Sequence, residues 1–563
     1  MDAGTSDKPA SSAPIHEATA RAEVVAVDSI HRATAALDAW TGCEAGPRYG
    51  LLRRALAAVE PFARTGSRRA TEVLFGPLRP ADEGAGAVGA LDVALAAHDC
   101  REASSQRFQI ASALKLMSVE IVDGRRLGEA KTARALSDAA FDLGLATLEA
   151  RVSSSAFDEA DRGEALGLTD AIEAGMKALW PDLAGSLDQA TADVRAIRSA
   201  IEQAPSMTRL ADRARLTRMT GPVGLAIRAA ARSHGLDVRA PHRSSPATDA
   251  AVSALSLPPP RARVDPELAA LGARLFTDRR LSAKRQSSCA TCHDPARAYT
   301  EPRATPISLD PAHPLLRNTP TLLYNDLQAT QLWDGRIVTA EAQVLRVIHN
   351  HAELGLDDAE LVTRVSADPA YAAGFAAREG GVVTAAGIAA ALGAHIASLG
   401  AGTSPVDAYA RGDDAALSAE MGRGLDVFAG PGRCARCHVP PLWGGSRPTD
   451  FAVPVYAVLG VPTRPEARKL DSDAGREGVT HRIVDKGSFK TPSIRDVART
   501  GPYMHHGRFA TLEQVVDFYD RGGGRGIGLV VPEQDPDVRP LRLTPEDRRA
   551  LLVFLREGAL DAP

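Results

Sequence analysis

Residues 289–293 read CATCH and residues 434–438 read CARCH, so four of the six cysteines sit in C-x-x-C pairs, each followed at once by histidine. Three chemistries use such pairs. A thioredoxin-like redox pair needs a surrounding βαβ pattern, and a zinc ribbon needs its second pair about 15–20 residues on. Here residues 289 and 434 are 145 apart. The histidine selects the third chemistry, in which two thiols add to the vinyl groups of a haem and the next residue becomes the proximal ligand of the iron. The spacing therefore implies two covalently bound haem c groups. Cys289, Cys292 and His293 hold the first, and Cys434, Cys437 and His438 hold the second.

Outward from the motifs, LGARLFTDRRLSAKRQSSCATCH (271–293) and GRGLDVFAGPGRCARCH (422–438) each run from a short amphipathic helix through a loop into the cysteines, as a duplicated unit does. Upstream, PHRSSPATDAAVSALSLPPPRAR (241–263) is a linker by composition. Before it, YGLLRRALAAVEPFA (49–63) and ALSDAAFDLGLATLEARV (135–152) repeat apolar residues at three- and four-residue steps, the pattern of an antiparallel helical bundle. The expected fold is mainly α: a flexible lead-in (1–25), a helical bundle (26–240), a linker (241–262) and two c-type haem domains with long loops (263–409 and 410–563).

The totals agree with several domains, since 563 residues exceed one ordinary core. A net charge of -4 gives no field that selects nucleic acid or an anionic membrane as partner. No run of 18 apolar residues predicts a membrane span. Cys43 and Cys100 lie far from the motifs and suit either one disulfide in an oxidising compartment or two buried thiols. The N-terminus lacks the basic start and apolar stretch of a secretory signal. Covalent haem attachment nevertheless points to a periplasmic or otherwise exported protein, with the chain either mature or starting further upstream.

Between the motifs, RNTPTLLYNDLQATQLWDGRIVTAEAQVLRVIHNHAELG (317–355) resembles the inter-haem segment of bacterial dihaem cytochrome c peroxidases and their MauG-type relatives, with R-N-x-P, W-D-G-R and a later Glu in order. FKTPSIRDVARTGPYMHHGRFATLEQVVDFYDRGGG (489–524) is similar to the family's second-haem segment, and the resemblance spans about residues 262–560. It implies hydrogen peroxide as substrate and an electron-donor protein as partner: a small cytochrome, a cupredoxin or a substrate protein. It also assigns Trp333 as the inter-haem relay, Gln343 as the distal glutamine and Glu353 as the distal catalytic glutamate. The chemistry agrees, because peroxide heterolysis needs a base for one proton and an acid for the leaving oxygen, and one carboxylate oriented by an amide does both. The bland alternatives are a core tryptophan and a solvated Glu and Gln on a surface helix.

The fourteenth residue after His505 is Tyr519, where dihaem cytochrome c peroxidases have methionine and MauG-type enzymes have tyrosine as sixth ligand of the second haem. Methionine raises the potential, whereas tyrosinate stabilises oxidised iron. Thr511 and Gln514 predict a capping box, GGG (522–524) a stop, and Leu512, Val515, Val516 and Tyr519 one shared face. A core tyrosine bonded to a backbone carbonyl is the alternative, and Met504 is a rival ligand at a position the family uses for packing.

His313 precedes Arg317 by four residues, closer than the family's usual seven. It is either a displaceable ligand of the first haem on a shortened loop or a solvated loop histidine, which leaves the iron five-coordinate as in MauG-type enzymes. His349 and His351 read as surface residues. The resemblance also implies one calcium ion held by the Asn318 side chain and the carbonyls of Thr500 and Pro502, an oxygen-only set suited to a hard cation. Residues 26–240 weakly resemble imelysin-like helical domains through LLRRALAAVEPFA and VLFGPLRP, and His98 with Cys100 reads as structural. The expected function is a MauG-like oxidoreductase that reacts with peroxide at the first haem and draws electrons through the second. The alternatives are a cytochrome c peroxidase served by small electron carriers and a non-catalytic dihaem electron carrier.

Overall fold

A computed structural model describes residues 13–40, 47–66, 74, 100–122, 129–149, 159–203, 210–236, 264–378, 381–447, 451 and 453–561. They fall into two compact units, divided between residues 239 and 240.

The first unit is helical: α1 (Ala13–Ala39), α2 (Pro47–Gly66), α3 (Cys100–Val122), α4 (Glu129–Glu149), α5 (Glu159–Leu179), α6 (Ala184–Gln203) and α7 (Leu210–Ser233). One continuous core joins Leu37, Leu56, Phe62, Met117, Leu136, Ile172, Trp180, Ile197 and Ile227. The pairing of α2 with α5 rests on Gly167, where a Cβ would lie 2.1 Å from the Arg54 carbonyl oxygen. Beside it Arg54 grips Asp170 through two hydrogen bonds of 2.7 and 3.1 Å. Helix α1 begins at Ala13, inside the stretch expected as a flexible lead-in, because apolar Ala22, Ala26, Ile30 and Ala33 recur at helical spacing and join the core. Cys100 is disulfide-bonded, which favours the disulfide alternative; Cys43, His98 and nearly all of VLFGPLRP lie outside the described residues.

The second unit opens with α8 (Pro266–Phe276), whose N-cap Asp265 accepts from the backbone of Glu267 and Leu268 at 2.9 and 3.1 Å. There follow α9 (Ala340–His349), α10 (Asp358–Ser366), α11 (Pro369–Ala376), α12 (Ala385–Ala397), α13 (Pro405–Ala410), α14 (Ala419–Ala429), α15 (Leu512–Asp520) and α16 (Pro545–Val553). Two small antiparallel ribbons pair β1 (Ser446–Arg447) with β2 (Val453–Pro454) and β3 (Tyr456–Val458) with β4 (Ser488–Lys490). Both sides of the division expected near residue 410 pack into this one unit.

The duplicated unit is visible in the packing. Gly272 in α8 lets the backbone of α12 approach, since its Cβ would lie 1.9 Å from the Ala391 oxygen; Gly424 in α14 does the same for α16, at 2.2 Å from the Ala550 oxygen. Four residues after each glycine stands a buried phenylalanine, Phe276 or Phe428. Phe276 meets Tyr299 edge-on, and Phe428 meets His438 edge-on.

Candidate active site

Each C-x-x-C-H forms one helical turn. In the first, Ser288 and Thr291 cap each other reciprocally and the His293 amide donates to the Cys289 carbonyl at 2.9 Å. In the second, the His438 amide donates to the Cys434 carbonyl at 2.8 Å.

The imidazoles are held alike. His293 Nδ1 lies 2.9 Å from the Tyr299 carbonyl oxygen, and His438 Nδ1 lies 2.9 Å from that of Pro492. A carbonyl only accepts, so Nδ1 carries the proton and the lone pair of Nε2 is left for a metal. Desolvation keeps both rings neutral, pushing His293 below its ordinary value and His438 down to about 4. It also pushes the thiols of Cys289, Cys292 and Cys434 up to about 12 and that of Cys437 well above its ordinary range. None of the four is in a disulfide. Two thiols beside an imidazole whose Nδ1 is fixed and whose Nε2 is free fit a haem attached through its vinyl groups.

Beside the second motif lies a cavity lined by Phe428, Cys434, Cys437, His438, Val516 and Tyr519. Tyr519 arrives on α15, whose capping box is formed as expected: Gln514 donates to Thr511 Oγ1 at 3.3 Å and its side-chain oxygen accepts from the Thr511 amide at 3.3 Å. Leu512, Val515, Val516 and Tyr519 all turn to the cavity. Burial raises the Tyr519 phenol far above its ordinary pKa, with the two thiols adding to the effect, so the phenol is neutral in the protein alone. A ferric iron would supply the positive charge that phenolate ligation needs. Met504, the rival ligand, lines the same cavity.

Trp333 and the three residues expected for calcium also line it. The Trp333 indole donates to the Asn318 carbonyl at 2.8 Å. Asn318 spends its amide nitrogen on the carbonyls of Arg303 and Ala304, both at 3.2 Å, which leaves its side-chain oxygen as the acceptor available to a cation. The R-N and W-D-G-R motifs are joined by an ion pair, Arg317 to Asp334 at 2.5 Å, and Arg317 also grips Asp473 at 2.7 and 2.8 Å. Glycine is required in W-D-G-R: Gly335 has φ 63°, and a Cβ there would lie 1.7 Å from the Tyr456 hydroxyl.

At the first motif, Glu353 is half-buried and near enough to Cys289 and Cys292 for its charge to raise both thiols. Burial raises its own carboxyl above the ordinary value, against the opposing hydrogen bond from Asn350. The orienting amide is therefore Asn350, whose Nδ2 donates to Glu353 Oε2 at 2.9 Å. Gln343, expected as the partner, instead holds a buried Oε1 with no hydrogen-bond partner among the described residues. His313 is not brought to the site; its side chain is exposed and paired with Asp310 at 2.6 Å. His349 pairs with Asp358 at the surface, and His351 is exposed.

Sequence reasoning missed three residues. Asn350 caps α9 three residues before Glu353, a spacing that puts its amide within reach. Glu301 is buried beside Cys292 and accepts from Thr319 at 2.7 Å. Lys490 is buried and lines the cavity. The signal for the last two was a charge inside an otherwise apolar or proline-bounded stretch.

Two C-x-x-C-H turns, each with its imidazole anchored through Nδ1, define a dihaem c-type oxidoreductase. The sequence pattern of the di-haem cytochrome c peroxidase family matches residues 266–415. Cytochrome-c peroxidase IdrP2 of Denitromonas iodatirespirans is 31% identical over 309 residues, which cover 51% of this chain and 80% of that protein. Methylamine utilization protein MauG of Methylorubrum extorquens is 34% identical, covering 53% and 80%. Cytochrome c551 peroxidase of Pseudomonas aeruginosa is 32% identical, covering 44% and 69%. Among solved structures, a MauG-like protein associated with microbial copper homeostasis matches with TM-score 0.48 and 29% identity, over 53% of this chain and 90% of that one. The chain belongs to the dihaem cytochrome c peroxidase/MauG family: a peroxidase-type oxidoreductase carrying two covalently bound c-type haems. Among the described residues no helix is long and apolar enough to cross a membrane.

Proposed function

We propose that this protein is a MauG-like periplasmic enzyme that reacts with hydrogen peroxide at the first haem and draws electrons through the second from an external protein donor. The observation that carries the reading is Tyr519, which shares one cavity with His438, Cys434 and Cys437. When bound, the haem iron supplies peroxide coordination and the electrons that reduce the O–O bond. His293 and His438 would hold the irons through Nε2, their orientation set by the carbonyls of Tyr299 and Pro492. Glu353 would accept a proton from peroxide and return it to the leaving oxygen, with Asn350 fixing the carboxylate. The buried side-chain oxygen of Gln343, without a partner among the described residues, supports a second polar contact to peroxide or water. Trp333 lies in the wall of the second haem's cavity and serves as the relay. Asn318, Thr500 and Pro502, which line that cavity together, would hold a calcium ion through oxygen ligands.

A second reading, a cytochrome c peroxidase that clears peroxide with electrons from small carriers, is favoured by Met504, which lines the same cavity and would give a high-potential methionine-ligated haem. Spectra of the oxidised and reduced protein separate the two. The MauG-like reading expects no methionine-type low-spin signature, and expects peroxide-oxidised protein to be discharged by a protein donor. A methionine signature, with discharge by small electron carriers alone, would establish the second.

A further inference from the structure

We infer that Lys490 is the ionic partner of a propionate of the second haem, a cofactor-binding residue outside the cysteine motif. Lys490 ends strand β4 and is 7% exposed. Its ammonium donates to the side-chain oxygen of Gln328 and to the Thr330 carbonyl at 2.8 Å, which uses two of its three N–H bonds. Among the described residues it has no carboxylate within salt-bridge distance. The acid that acts on it from further off, Asp334, is already held by Arg317 and Arg336, each at 2.5 Å. Desolvation of this unmatched charge pushes the ammonium down to about 7. A buried cation without a counter-charge is costly, so the cavity it lines calls for an anion.

The second haem supplies one. Thioether bonds to Cys434 and Cys437 fix the vinyl edge of the macrocycle, and its two propionates leave from the opposite edge. The other cations around the cavity do not meet this demand: Arg433 adjoins Cys434 at the vinyl edge and pairs with Asp537, and Arg539 is exposed. The position of Lys490 is fixed by the register of Tyr456 against Lys490 and by its amide, which donates to the Trp333 carbonyl at 2.7 Å. A positive charge held there favours the reduced haem and sets the second haem's potential apart from the first.

The test uses the full chain carrying both haems. In Lys490→Met the midpoint potential of the second haem is expected to fall and its propionate-bending modes in resonance Raman spectra to shift, with the first haem unchanged. Lys490→Arg is expected to restore both signals. Should Lys490→Met fail to attach both haems, Lys490→Gln, a neutral residue that keeps a donor near Thr330, is expected to give the same two shifts. Unchanged potential and Raman modes in the neutral variant, or a shift confined to the first haem, would overturn the assignment.

Discussion

Asn350 Nδ2 donates to Glu353 Oε2 at 2.9 Å across the turn that ends helix α9, while the side-chain oxygen of Gln343, ten residues earlier than Glu353, has no partner among the described residues. The carboxylate is thus oriented from its own loop. Burial raises the Glu353 carboxyl and the amide opposes that rise. Such a balance brings a carboxyl nearer the range where it both takes and returns a proton.

Removing the carboxylate removes that exchange. Glu353→Gln is expected to lower peroxide turnover by about 10²–10⁴-fold, the usual worth of a positioned acid–base group, with both haems still attached by mass. Stopped-flow measurement of peroxide consumption checks it, and turnover within a factor of about two of the parent would reduce Glu353 to a bystander.

The amide has a separate signature. The Asn350 hydrogen bond favours the ionised carboxylate, so Asn350→Ala leaves the burial effect unopposed and raises the Glu353 pKa further. The acid limb of kcat/KM against pH is expected to move to higher pH, because more base is needed to ionise Glu353. A limb that stays in place while the rate falls uniformly assigns Asn350 to packing alone.

Tyr519 separates a ligand from a core residue. Phenylalanine keeps the bulk of the ring on the α15 face, so Tyr519→Phe is expected to change the spectrum of the oxidised second haem with little loss of stability, and Tyr519→Met to raise its potential. Spectroelectrochemistry reads both. Spectra and potential equal to those of the parent would make Tyr519 a packing residue.

The scaffold behind the second motif depends on a buried pair. Arg495 and Asp407 are both inaccessible and joined by two hydrogen bonds of 2.7 Å, with the Tyr324 ring 5.0 Å from the guanidinium carbon. Asp407→Ala strands the guanidinium and is expected to cost about 3–5 kcal/mol, as breaking a buried pair does. Denaturant unfolding checks it; a loss under about 1 kcal/mol would mean that water or Asp561 replaces the carboxylate.

The two haem-attachment motifs were legible because their chemistry is local: C-x-x-C-H carries its geometry within one helical turn. The amphipathic face of α15 was legible for the same reason, since a capping box and a three-to-four-residue rhythm are short-range signals. What stayed hidden depends on distant partners. Arg317 meets Asp473 from 156 residues away, and Lys490 meets Gln328 from 162. Gln343 and Glu353 share a family spacing, but the spacing does not say that Asn350 fills the place nearest the carboxylate. His313 carried no decisive local signal, and its exposed pairing with Asp310 follows from the loop's own turn.

Asp496 gives a test of the fold that is independent of haem chemistry. It is buried at φ 55°, with one oxygen bonded to Arg499 at 3.1 Å and the other without a hydrogen-bond partner among the described residues. Burial, reinforced by Asp561, pushes its carboxyl from 3.8 up to about 6. A raised pKa in the folded chain means that folding retains a proton which the unfolded chain releases first. The resulting stabilisation is complete below about pH 4 and is lost as pH rises through about 6. Asp496→Asn keeps the shape, tolerates the left-handed backbone and does not titrate. The variant is therefore expected to gain on the parent between about pH 4 and 6 and to hold a constant advantage above. Thermal unfolding of both proteins across that range measures the difference, and a gap that does not change with pH would show that Asp496 is ionised in the folded state throughout, its second oxygen reached by solvent.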